Sequence, residues 1–84
     1  MKHATSEGLD ALDPLLAELR EIPGLREKKR GVFYRKSSAF LHFHEDPAGL
    51  FADLKNRREF ERHRVSTARE RSAFARRARE LAGD

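Results

Sequence analysis

Apolar positions along the chain recur first at three- and four-residue steps, then in alternation, then at helical steps again. Leu12, Leu15, Leu16, Leu19 and Ile22 in "LDALDPLLAELREIPG" form one face of an amphipathic helix. Asp13 before Pro14 supplies an N-cap and a first-turn proline, and Pro23-Gly24 closes the helix. Leu9 and Leu12 add an earlier turn, because Pro14 interrupts any helix begun at Ser6. Residues 1–8 are polar and small and read as a flexible N-terminal tail; residues 9–84 read as a single domain.

After a charged connector, "LREKKR", the period becomes that of strands. "GVFYRK" and "SAFLHFHED" are rich in aromatic and aliphatic residues, part near Ser37, and predict a β-hairpin. "DPAG" is turn chemistry, "LFADLK" comes next as a third strand, and "FERHRV" is a fourth, weaker strand or the end of a loop. "STARERSAFARRARELAG" then predicts a helix, with Thr67 and Glu70 as a capping box and Gly83 at the C-cap. Steps of about 100° per residue place Phe74, Ala78, Leu81, Ala82, Ala75 and Ala68 on one arc, with Arg69, Arg76 and Arg79 opposite.

Together these elements predict an α+β fold. It is a two-layer sandwich of an N-terminal helix, a three- to four-stranded mainly antiparallel sheet and a C-terminal helix. The expected core is Leu12, Leu16, Leu19, Ile22, Leu41, Phe43, Leu54, Phe74, Ala78 and Leu81.

Composition narrows the picture. Charged residues make up 38% of the 84, so the core must be small, and association through the exposed sheet face or an edge strand, as a homodimer or with a protein partner, would supply missing burial. Cysteine is absent, which excludes disulfides, zinc ribbons and thiol nucleophiles. No run approaches the ~18 apolar residues of a membrane helix and the N-terminus lacks an apolar leader, so a cytoplasmic protein with no membrane partner is expected. The net charge of +4 is uneven: residues 1–54 carry eight Lys/Arg against nine Asp/Glu, residues 55–84 ten against five. A basic C-terminal third is suited to an anionic partner.

The candidate chemistry centres on "SAFLHFHED". Alternation puts His42 and His44 on one face of a strand together with Phe40, and Leu41 and Phe43 on the other. Two histidines at i and i+2 can chelate zinc or another divalent metal, but a stable site wants a third and usually a fourth ligand. Asp53, Glu45, Asp46 and His63 are the further candidates by residue type, although His63 falls two strands from His42. No H-E-x-x-H motif, Gly-flanked serine or phosphate-binding glycine loop accompanies the pair, so no catalytic residue is assigned. An anionic surface partner would be met by Lys28, Lys29, Arg30, Arg57, Arg58, Arg69, Arg76 and Arg79, with Tyr34 or Phe40 to stack on unpaired bases. That arrangement implies weak, unspecific nucleic-acid binding.

From "IPGL" through "GVFYRKSSAFLHFHEDPAGLFADLK" to "HRVST" and its helix, about residues 9 to 82, the chain resembles a small bacterial family of luciferase-domain proteins. The matching features are Pro23-Gly24-Leu25 after a leucine helix, the Phe40-x-His42-x-His44 strand, the acidic turn and the short strand after it. Ser37-Ser38 stands where that family has a glycine-rich turn. The resemblance implies an uncharacterised α+β domain centred on the two histidines, and no catalytic residues to carry over. The functional expectation is a small basic, non-catalytic interaction or accessory module. Divalent-metal binding and weak electrostatic nucleic-acid binding are the alternatives.

Overall fold

The structure, a computed structural model, describes residues 2–83. Met1 and Asp84, the ends of the expected tail and domain, lie outside the described residues. The elements run β1 (Lys2–His3), α1 (Ser6–Ala11), α2 (Asp13–Arg20), β2 (Leu25–Lys29), β3 (Val32–Arg35), β4 (Ser38–Asp46), β5 (Gly49–Asn56), β6 (Glu59–Arg64) and α3 (Ala68–Ala82). The fold is α+β, with a six-stranded antiparallel sheet where periodicity predicts three or four strands. Strand order is β2-β3-β4-β5-β6, and β1 pairs with the end of β4 that lies beyond the reach of β3.

The extra strands come from the segments read as connector and tail. β2, "LREKK", is an edge strand with only Leu25 and Glu27 half-buried, so it shows charges where a central strand would show apolar alternation. β1 is held by backbone pairing, Lys2 opposite Glu45 and His3 opposite His44, which leaves no hydrophobic signature in the sequence. The expected tail is therefore part of the sheet and of α1, whose N-cap Thr5 accepts from the Gly8 amide through its side chain. α1 and α2 part at Leu12, with Pro14 in the first turn of α2, so that Leu12, not Asp13, is the α2 N-cap. The Asp13 carboxylate instead accepts from Arg30 at 2.7 Å.

All ten expected core residues are buried, joined by Leu15, Phe33, Phe40, Ala52, Val65 and Ala75 in one cluster. Burying each large apolar side chain contributes about 1.5–3 kcal/mol. Leucines of α2 and Phe74, Ala75, Ala78 and Leu81 of α3 cover the inner sheet face, where Leu41 pairs with Leu54 and Phe43 with Ala52. The Thr67–Glu70 capping box and the Gly83 C-cap of α3 form as expected; Ala68, at its first turn, is exposed.

Strict alternation fails at one place in β4. Phe33 pairs with Leu41 but Tyr34 with Ala39, so Phe40 is an extra residue. The bulge sends Phe40 into the core instead of onto the histidine face, and it is only 3% exposed.

The β4–β5 turn is held by local bonds and a close approach. Asp46 pairs with Gly49 across Pro47-Ala48, and the Asp46 carboxylate accepts from the Ala48 amide at 2.7 Å. Gly49 has φ +136°, and a Cβ there would come within 2.5 Å of the Ser66 hydroxyl. That hydroxyl instead accepts from the Leu50 amide at 2.9 Å and ties β5 to the segment before α3.

Candidate metal centre

The outer sheet face, turned away from the helices, gathers the imidazoles. The two-residue turn sets the β4–β5 register so that Asp53 lies directly opposite His42. On antiparallel strands such a pair shares a face, and His44, two residues along β4, joins it. One carboxylate oxygen, Asp53 Oδ2, meets both rings: His42 Nε2 at 3.5 Å and His44 Nε2 at 3.1 Å. A donor atom from each of the three residues lies within 4.8 Å of the others.

Neighbouring groups complete the shell. Arg62, across the β5–β6 ladder from Asp53, donates Nε to Oδ1 at 2.8 Å and Nη2 to Oδ2 at 2.9 Å. This bidentate fork fixes the carboxylate plane and holds the Asp53 pKa below the usual carboxylate range, against the opposing effect of burial. His42 titrates below the ordinary histidine value: burial and the neighbouring His44 disfavour its cation more than Asp53 favours it. An ionised Asp53 and a neutral His42 are the forms a metal ion needs. The His3 ring stacks on His44 with centroids 5.2 Å apart, and exposed Phe60 meets His42 edge-on at 5.4 Å.

His44 is the anomaly of the cluster. Both of its ring nitrogens are buried and neither has a hydrogen-bond partner among the described residues. The 3.1 Å approach of Nε2 to Asp53 is an ion-pair distance without the alignment of a hydrogen bond. A buried imidazole left so unsatisfied costs about 1–3 kcal/mol. Bound metal would take up the lone pair of the ring nitrogen that carries no hydrogen.

The other expected ligands go elsewhere. His63 pairs opposite Ala52 on the inner face, bonds to Glu61 at 3.0 Å and packs edge-on against Phe74, so it is on the wrong side of the sheet as well as two strands away. Glu45 pairs opposite Leu50, and its carboxylate accepts from the Thr5 amide at the start of α1. Asp46 is engaged by the β4–β5 turn. Asp53, a candidate by residue type, is singled out only by register, and that register was legible: a two-residue Pro47-Ala48 turn between Asp46 and Gly49 makes His42 and Asp53 opposite numbers. Arg62 and His3 carried no comparable signal. No family model, curated protein or solved structure matches the chain.

The expected basic surface does not converge. Lys28, Lys29 and Arg30 lie on β2 and its turn to β3, whereas Arg57 and Arg58 form the β5–β6 turn, at the opposite edge and opposite end of the sheet. Arg30 is ion-paired with Asp10 and Asp13, Lys28 sits over the Tyr34 ring, and Arg79 is paired with Glu18 of α2. Arg69 and Arg76 are exposed on α3. Phe40 is buried and so unavailable for stacking on bases. Among the described residues, no helix is long and apolar enough to cross a membrane.

Proposed function

We propose that this chain is a small metal-binding module, with His42, His44 and Asp53 holding one divalent transition-metal ion on the outer sheet face. The observation that carries the reading is the unsatisfied, buried His44 ring beside a carboxylate oxygen shared with His42. Tetrahedral zinc with bonds of about 2.0–2.1 Å spaces its ligand atoms about 3.3–3.4 Å apart. The separations of 3.1 and 3.5 Å between the carboxylate oxygen and the two imidazole nitrogens straddle that spacing. Two imidazoles and one carboxylate suit zinc or another first-row ion better than calcium or magnesium, which prefer all-oxygen shells.

Arg62 supports the site from behind by orienting Asp53, as outer-layer partners of metal ligands commonly do. Three protein donors leave one tetrahedral position open. The accessory, non-catalytic role expected from the sequence accords with a metal that organises this face, where β1 and β4 meet around His3 and His44.

Metal analysis of the untagged protein, paired with thermal melts in zinc and in chelator, tests the reading. Stoichiometric metal and a higher melting temperature in zinc are expected, both lost on replacing His42 and His44 together with alanine. Superimposable melts with no bound metal would refute it.

A further inference from the structure

A second site lies at the end of the sheet where the β3–β4 and β5–β6 turns come together near the last turn of α3. A cleft of about 470 Å³ opens there, lined by Arg35, Lys36, Lys55 and Arg57 on its charged sides. Ser38 and Asn56 add polar groups, and Ala39, Phe40 and Leu81 form an apolar floor. Four cations and, among the described residues, no carboxylate line it. Six arginines outside the cleft are ion-paired with acids: Arg20 with Glu27, Arg30 with Asp10 and Asp13, Arg62 with Asp53, Arg64 with Glu70, Arg77 with Glu61 and Arg79 with Glu18. Among the described residues, no carboxylate forms an ion pair with Lys36, Lys55 or Arg57.

The backbone adds a separate observation. Lys36 and Arg57 have φ of +52° and +63°, a left-handed conformation that favours glycine or asparagine. Each opens a two-residue hairpin turn, Lys36-Ser37 between Arg35 and Ser38, and Arg57-Arg58 between Asn56 and Glu59. Positive φ is what a two-residue hairpin turn requires, and in both turns that position carries a long cationic side chain that lines the same cleft.

We propose that this cleft binds a small organic phosphate, held through its phosphate oxygens by the cations of the two turns and of β5. Lys36, Lys55 and Arg57, unclaimed by acids among the described residues, match phosphate oxygens. The volume lies within the range of small-molecule pockets, about 300–1,000 Å³. Lys28, Lys29 and Arg30, the last two lining a smaller cleft of about 190 Å³, lie at the other end of the sheet, so the larger cleft suits a compact anion better than an extended strand.

Isothermal titration at low salt with AMP and with inorganic pyrophosphate tests the site, in chelator so that the outer-face histidines are not involved. The decisive variant carries Lys36→Asn and Arg57→Asn, since asparagine accepts the left-handed backbone and removes only the charges. Saturable binding of AMP, weakened about tenfold or more in that variant while its melting temperature holds, is expected. The His42→Ala, His44→Ala protein should bind AMP as the parent does, which separates this site from the metal reading. No AMP binding, or binding unaffected by the asparagine variant, would overturn the proposal. A single-stranded oligonucleotide that binds where AMP does not would also overturn it and give the cleft to nucleic acid.

Discussion

The two faces of β4 and β5 use the same backbone to opposite ends. On the inner face Leu41, Phe43, Ala52 and Leu54 are buried beneath α2 and α3, and Leu41 and Leu54 are wholly inaccessible. On the outer face the intervening residues are His42, His44 and Asp53, held by Arg62 and left with unsatisfied ring nitrogens on His44. The inner face gains from every atom it hides. The outer face keeps polar atoms half-hidden without full pairing, an arrangement that lowers stability unless something binds.

The largest expected effect breaks the comparison from the inner side. Leu41→Ala should destabilise by about 2–5 kcal/mol in a denaturant titration, because the rigid surroundings refill the space only in part. If the loss were no greater than that of His42→Ala in metal-free protein, the two faces would not differ as described.

Asp53→Asn sharpens the comparison from the outer side. It keeps the shape but removes the ionised oxygen common to both histidines, so zinc affinity should fall about tenfold or more in a competition titration with a chromogenic chelator. Unchanged zinc affinity would exclude Asp53 from the ligand set.

The smallest effect concerns a polar group on the inner face. Arg77 of α3, then His63 and Asn56, bond the Glu61 carboxylate and lower its pKa from 4.5 to about 2. A depressed carboxylate pKa contributes stability that is present above the unfolded value and is lost as pH falls through the folded one. Stability should therefore decline between about pH 4.5 and 2, and Glu61→Gln should flatten that part of the acid-unfolding curve. An unaltered acid limb would show that the contact between β6 and α3 contributes nothing through charge.

The readable part of the fold is the part with periodicity. α2, α3 and the inner residues of β4 and β5 repeat apolar side chains at helical or strand steps, and each forms where its period places it. β2 and β1 are stabilised by backbone pairing at an edge, with charged or polar side chains, so composition disguised them. Phe40 escaped alternation because a bulge turned it inward. In the outer-face cluster, His42 and His44 are legible from spacing and Asp53 from the length of the turn; His3 and Arg62 are not.

The sequence by itself determined a helix-flanked antiparallel sheet with two histidines on the face away from the core, because alternation and amphipathic period are local properties of the chain. Tertiary structure alone decided that His3 would stack on His44, that Arg62 would brace the acid opposite, that His63 would face the other way, and that cations from two turns would share one cleft. Those outcomes depend on sheet order, edge pairing and the side of the sheet the helices cover, which arise when distant segments pair.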